Sequence, residues 1–309
     1  MDLNSIKKDY ENNGYIHLKN FLEPEELRIY LKKLNSEETD SSELSHDTEL
    51  SGILFNKKLN LILSKLLDEK PIYFGIGNIH GNTVENRISW RRMHNDTRGH
   101  PTEPFGRSYY DPAKFQWPIV TVFFYLEDFE NQSGCLKVVK GSHKKFIPTI
   151  GNYLKVFFNL SKNWKFDGKY SLSSIPLLHF LNYRNIKSKP GDLVIMNHSV
   201  HHSPNALILK LFPNLSLPVF LENFIEKYLK FLIKPPSKQR RMINLTYSKN
   251  SKQMEYFIRS RVKWIDMKFV KKSKFFYSSE FRDKLDRAGV LSNINFLKYY
   301  KDYSHLKNS

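Results

Sequence analysis

The spacing of apolar positions changes period several times along this chain, and each change predicts an element. From Pro24 to Asn35 the apolar residues recur at helical spacing. The segment opens Glu-Pro-Glu-Glu-Leu, with Pro24 suited to a first helical position and acids in the first turn, so a helix is predicted there. A second helix is predicted over Asn56 to Leu67. Between Ile72 and Tyr125 the pattern favours strands, interrupted by a polar loop from Thr97 to Lys114. The run from Ile119 to Phe129 reads as a strand, and a second strand follows Pro190-Gly191-Asp192. In the stretch 206–238, Leu217, Phe220, Leu221, Phe224, Tyr228, Leu229 and Leu232 return at helical spacing. The simplest expectation is a helix that packs this apolar face against the rest of the domain. Glu222, Glu226, Lys227 and Lys230 exclude a membrane span. The tail from Tyr277 to Ser309 reads as helical and basic. Periodicity alone therefore gives an α+β chain.

With 309 residues and no Ser/Gly-rich linker, internal repeat or low-complexity block, one domain spanning 1–309 is expected. The opening Met1-Asp2-Leu3-Asn4-Ser5-Ile6 lacks the apolar core of a signal peptide, and the one cysteine, Cys135, excludes an internal disulfide. Both point to a cytoplasmic protein with Cys135 as a small buried hydrophobe. The formal net charge of +18 adds a further consideration. Basic residues concentrate from Lys234 to Lys274, and 250–309 reads as a basic helical extension. No nucleic-acid-binding module is present there, so nucleic acid is not the expected partner. An anionic substrate or peripheral contact with an acidic membrane face remains compatible with the charge.

The candidate chemistry lies in two segments a hundred residues apart. Met93-His94-Asn95-Asp96 carries a His-x-Asp pair, and on a strand the side chains of His94 and Asp96 project together while Asn95 points away. Downstream, Asn197-His198-Ser199-Val200-His201-His202 follows the Gly191-Asp192 strand and supplies a second source of imidazole. Two imidazoles and one carboxylate form one face of an octahedron and leave open positions for a co-substrate and oxygen, the ligand set of a non-haem iron(II) oxygenase.

In their order along the chain, these segments resemble the phytanoyl-CoA dioxygenase family of iron(II)/2-oxoglutarate-dependent oxygenases. Ser133-Gly134-Cys135-Leu136-Lys137-Val138-Val139-Lys140-Gly141-Ser142-His143 is similar to that family's SG-x-L-x-V-x-x-GSH signature. Tyr10 to Leu22 resembles its opening, a helix end leading into a first strand, and Gln239-Arg240-Arg241-Met242-Ile243 resembles its late basic strand. The resemblance implies a double-stranded β-helix, the jelly-roll of cupin-like enzymes, with flanking helices. It assigns His94, Asp96 and one distal His as ligands of Fe(II). Eleven positions after Gly191 is His202, the preferred ligand, whereas the spacing back from Asn205 suits His201; His198 is a more distant choice. An Arg binds the far carboxylate of 2-oxoglutarate, since a guanidinium grips a carboxylate with two parallel hydrogen bonds. Arg240 fits that role better than Arg241, and Thr121 is a weaker candidate for the same co-substrate. His143 is expected to be structural, while Arg92, Arg98 and Arg107 flank the proximal motif near the substrate.

The implied reaction consumes O2 and 2-oxoglutarate, releases succinate and CO2, and hydroxylates an unactivated carbon. Retention of Asp96 favours hydroxylation over halogenation. The expected substrate is a small or lipid-like, anionic metabolite. The stretches 146–189 and 206–238 exceed tight connections and are expected to be insertions covering the active-site mouth. The alternative reading is a catalytically silent family member whose basic C-terminal third binds an acidic partner or membrane.

Overall fold

The structure is a computed structural model of the 309-residue chain, and it describes residues 2–36, 40–43, 50–80, 93–94, 96, 117–144, 182–236, 241–251, 253–254, 257 and 279–291. The first helix, α1 (Leu3–Asn13), is capped by Asp2, whose carboxylate accepts from the Asn4 and Ser5 backbone N–H groups. It ends at Gly14 in the left-handed conformation, with φ +82°. A Cβ at Gly14 would meet the His143 ring and the Val200 side chain at 2.5 Å, so this turn requires glycine for space as well as for backbone angle. The chain then enters β1 (Tyr15–Leu18). Helix α2 (Pro24–Ser36) follows, with the predicted proline start and with Glu25 and Glu26 in its first turn. Helix α3 (Lys57–Leu67) begins one residue later than predicted, because Asn56 is its N-cap and accepts from the Leu59 N–H at 3.0 Å.

The remaining strands are β2 (Asp40–Glu43), β3 (Ile72–His80), β4 (Ile119–Tyr125), β5 (Cys135–Val139), β6 (Tyr183–Ile186), β7 (Leu193–Asn197), β8 (His202–Ala206) and β9 (Met242–Ser248). They form a six-stranded sheet of order β1-β7-β4-β9-β3-β2 and a three-stranded sheet of order β6-β5-β8. Every pairing is antiparallel. His94 adds an isolated antiparallel bridge beside β8. From β3 onward the chain visits the large sheet, His94 beside the small sheet, then large, small, small, large, small and large. That is the winding of a double-stranded β-helix.

Alternation along the strands builds two cores. Val120, Val122 and Phe124 of β4 turn outward with Ile243 and Leu245 of β9 and pack beneath α1, α2 and α3. Phe123, Tyr125, Val194, Met196 and Met242 turn inward and meet Leu136 and Val138 of the small sheet. Cys135 lies in this inner core, where burial pushes its thiol up to about 12, so it is a packing residue without thiolate reactivity at neutral pH. Two further helices are α4 (Val219–Tyr228) and α5 (Ser279–Arg287). Helix α5 buries Phe281 and Leu285 in the helix-side core and accounts for the start of the predicted helical tail. The predicted loop from Thr97 to Lys114, residues 146–181 of the predicted 146–189 insertion and most of the basic 250–309 extension lie outside the described residues.

One polar joint locks β1 and α2 to the sheet. Asp192 is buried and accepts from His17 Nε2 at 2.8 Å and from the backbone N–H groups of Asn20 and Lys189, each at 2.9 Å. Burial alone would raise the Asp192 pKa, but the hydrogen bonds from His17, Lys189 and Asn20 together outweigh it and hold the carboxyl below its ordinary value. A carboxyl whose pKa falls on folding stabilises the fold fully above its unfolded value of about 3.9, and that contribution is lost as pH falls through the lower, folded value. The stability gap between the native chain and Asp192→Asn is therefore expected to be widest near neutral pH and to close below pH about 4. Urea unfolding of both proteins across that range measures it.

Candidate metal centre

His94 and His202 are brought together by the backbone. The His94 N–H donates to the His202 carbonyl at 2.9 Å, and the His202 N–H donates to the His94 carbonyl at 2.7 Å. Such a reciprocal antiparallel pair places both side chains on one face, and the ring centroids lie 4.3 Å apart. The Asp96 N–H donates to the His198 carbonyl at 2.9 Å, which carries the carboxylate to the same side. One donor atom from each of His94, Asp96 and His202 falls within 4.8 Å of the others.

The separations suit a shared ion better than direct hydrogen bonds. His94 Nε2 is 3.9 Å from Asp96 Oδ1, and His202 Nε2 is 3.7 Å from Asp96 Oδ2. With metal–donor distances of about 2.1 Å, adjacent and opposite ligands of one ion stand roughly 3.0 to 4.2 Å apart. His202 Nδ1 donates to the Val200 carbonyl at 3.1 Å, which sets the tautomer and leaves the Nε2 lone pair toward the carboxylate. The His202 side chain is 8% exposed, whereas His94 and Asp96 are each 27% exposed. The centre is thus dry on the β8 side and open on the other, as a site with free coordination positions must be. The donor set and its second partners fit iron(II).

The structure places the adjacent histidines differently. His202 pairs with Val138, an inward residue of β5, and joins the cluster. His201 is also buried, but no donor of His201 or His198 belongs to the cluster. His198 instead meets Thr121 through a short hydrogen bond between Nε2 and the hydroxyl, and its ring stands edge-on to Phe257. Thr121 is buried on the inward face of β4 with this partner. Arg240 lies outside the described residues, as do Arg92, Arg98 and Arg107. Arg241 directs Nε to Glu127 Oε1 at 3.3 Å, so its guanidinium is engaged away from the cluster. Glu127 is raised by burial, and Arg241 opposes that shift.

The signature segment proves to be scaffolding for the centre. Ser133 Oγ donates to the Lys234 carbonyl and accepts from the Ile208 N–H, fastening both ends of the 208–234 excursion. Ser142 Oγ accepts from the His201 N–H at 2.8 Å, one residue before the ligand. His143 Nε2 donates to the Glu11 carbonyl at 3.0 Å and ties the segment to α1, the structural role expected for it. Its burial lowers its pKa and favours the neutral ring. Ser142→Ala would strip the buried His201 N–H of its acceptor, a loss of about 1–3 kcal/mol. It should also weaken iron(II) binding by roughly 10–100-fold, as removal of a supporting partner does. Chemical denaturation and metal titration of the variant check the two effects.

Sequence reasoning missed one feature altogether. Lys137, in the middle of the signature, points outward from the small sheet and meets Glu222 of α4 at 2.9 Å, with the side chains 0% and 1% exposed. Its ammonium also donates to the Leu217 carbonyl at 2.5 Å, and Glu222 accepts from the Leu207 N–H at 3.0 Å. The expectation for this helix is corrected here: Glu222 is the one buried residue of α4, while Phe220, Leu221, Phe224 and Tyr228 are exposed. The charge pair prevails because Lys137 has no access to water and requires an anion. A lysine in an otherwise apolar strand was the available signal.

The sequence model of the family described as phytanoyl-CoA dioxygenase matches residues 10–151, which include His94, Asp96 and the signature. Over that span the chain is similar to the phytanoyl-CoA dioxygenase family. The similarity agrees with the donor set of His94, Asp96 and His202. Among solved structures, HygX from Streptomyces hygroscopicus with nickel and 2-oxoglutarate bound aligns with a TM-score of 0.50 at 12% identity, covering 77% of this chain and 83% of that one. The likeness shows a shared fold. The non-haem α-ketoglutarate-dependent epimerase SnoN from nogalamycin biosynthesis aligns with a TM-score of 0.49 at 14% identity, over 79% of this chain and 81% of that one. No curated protein matches the sequence. No helix among the described residues is long and apolar enough to cross a membrane.

Proposed function

We propose that this phytanoyl-CoA dioxygenase-family chain is an iron(II)- and 2-oxoglutarate-dependent hydroxylase acting on an unactivated carbon of a small or lipid-like, anionic metabolite. The observation that carries the reading is the convergence of His94, Asp96 and His202 at one open face of the double-stranded β-helix. These three residues would hold the metal, with Asp96 contributing the compensating negative charge. When bound, iron(II) with 2-oxoglutarate and O2 supplies the oxidising power to convert C–H to C–OH, with succinate and CO2 released. The chain's own part is to orient and exclude. Val200 fixes the His202 ring through its carbonyl, and the inward apolar residues of β4, β7 and β9 keep water from the buried side. In this proposal Arg240 clamps the far carboxylate of 2-oxoglutarate, and Thr121, with His198 beside it, adds a hydrogen-bonding wall.

The same reading treats the chain as one domain with insertions at 146–189 and 206–238 beside the site mouth. Val219 of α4 packs against the cluster of Met93, Val139 and Tyr183, and Met93 precedes His94, which supports that placement for the second insertion. A cytoplasmic setting belongs to the proposal as well. Anaerobic titration of the metal-free protein with iron(II), then 2-oxoglutarate, tests it. A visible charge-transfer band is expected on adding the co-substrate. Arg240→Ala should raise the concentration of 2-oxoglutarate required while leaving iron binding unchanged. No band from folded, iron-loaded protein would favour the alternative of a catalytically silent relative.

A further inference from the structure

Helix α4 carries an exposed aromatic face. Glu222 is fixed inward by Lys137 and the Leu207 N–H. At 100° per residue, Phe220 and Phe224 then stand on the opposite side of the helix, with Tyr228 beside them. Of the exposed large hydrophobic side chains among the described residues, all but Ile29 and Leu61 lie between Leu211 and Phe231. Leu211, Phe212, Phe220, Phe224, Tyr228 and Phe231 are its most prominent members. Scattered exposed apolar residues need no explanation, but a concentration in one short excursion does.

Charge identifies the partner. Lys210, Lys227 and Lys230 are exposed within the same excursion, and Lys227 lies over the Tyr228 ring, 5.0 Å from its centroid. Of the two acids in this stretch, Glu222 is buried and already paired, so lysines outnumber the remaining acid, Glu226, within the stretch itself. A two-fold contact between copies of this chain would set the lysine-bearing patch against itself. Aromatic side chains rimmed by lysines suit the boundary of an anionic bilayer, where rings enter the headgroup region and ammonium groups meet phosphate.

We infer that the 211–231 face docks on anionic membrane surfaces. Because Val219 packs against the cluster that contains Met93, the residue before His94, docking would hold the metal centre close to the lipid boundary, where amphiphilic molecules enter. The inference concerns binding alone, and its test needs neither metal nor turnover, so it stands or falls separately from the proposed activity.

The test is co-sedimentation of the full chain with vesicles of phosphatidylcholine, with and without phosphatidylserine. Two variants accompany it: Phe212→Ser/Phe224→Ser/Phe231→Ser and Lys210→Ala/Lys227→Ala/Lys230→Ala. All six side chains are exposed, and a thermal melt confirms that each variant is folded. The native chain should bind only the phosphatidylserine vesicles. The aromatic variant should lose binding although its charge is unchanged. Each lysine removed should weaken partitioning by roughly fivefold, and added salt should weaken it further. Absence of binding to phosphatidylserine vesicles would overturn the inference. So would binding that survives in the aromatic variant, which would trace it to basic surface elsewhere. A native dimer that the aromatic variant dissociates, without vesicle binding, would overturn it in favour of a contact between copies.

Discussion

Asp96→Asn is expected to abolish 2-oxoglutarate-dependent succinate release while leaving the protein folded. The substitution keeps the side-chain shape and the backbone N–H that donates to the His198 carbonyl. It removes the anionic oxygens that face His94 Nε2 at 3.9 Å and His202 Nε2 at 3.7 Å. Two neutral imidazoles and an amide offer a hard divalent ion neither the charge nor the donor strength of the native set. The loss of iron(II) affinity should exceed the roughly 10–100-fold expected from deleting a supporting partner. Asp96 is 27% exposed, so the melting temperature of the metal-free protein should move little. Metal titration, succinate assay and a thermal melt on the same preparations measure the three quantities. Full turnover in the variant would remove Asp96 from the ligand set.

The second large effect lies outside the metal centre, at Lys137 and Glu222. Both side chains are shut away from water, so removing one leaves the other as an uncompensated buried charge. Glu222→Leu should cost about 3–5 kcal/mol, with Lys137→Met comparable. The double variant Lys137→Met/Glu222→Leu should recover most of the loss, because a buried ion pair often contributes little net stability over apolar residues of similar volume. Some deficit should persist, since the Leu207 N–H and the Leu217 carbonyl each lose a partner. A double-mutant cycle by chemical denaturation measures the coupling. Equal, additive losses would show that the two charges do not depend on each other.

These two sites differ in how far the sequence disclosed them. His94 and Asp96 lie two residues apart, and a two-residue strand period alone puts them on one side. Helices α2 and α3 were legible for the same reason, since their starts rest on Pro24, Glu25, Glu26 and Asn56, all within one turn. The winding of the double-stranded β-helix came from the family resemblance, because strand order depends on pairings that local pattern does not express. Counting from Gly191 selects His202 over His201, and it is His202 that the fold sets beside His94, through the pairing of β8 with His94 on one side and Val138 on the other.

Helix α4 shows how such reasoning fails. Its apolar residues do recur at helical spacing, and the ordinary inference buries that face. The actual orientation follows from Lys137, 85 residues before Glu222 in the chain, which no window around α4 contains. The sequence by itself determined the local elements, the donor types for iron and the family resemblance. Tertiary structure alone decided which histidine stands beside His94 and Asp96, which serine supports it and which face of α4 meets the surroundings. Each of those depends on a contact between distant segments, where burial makes a missing partner costly.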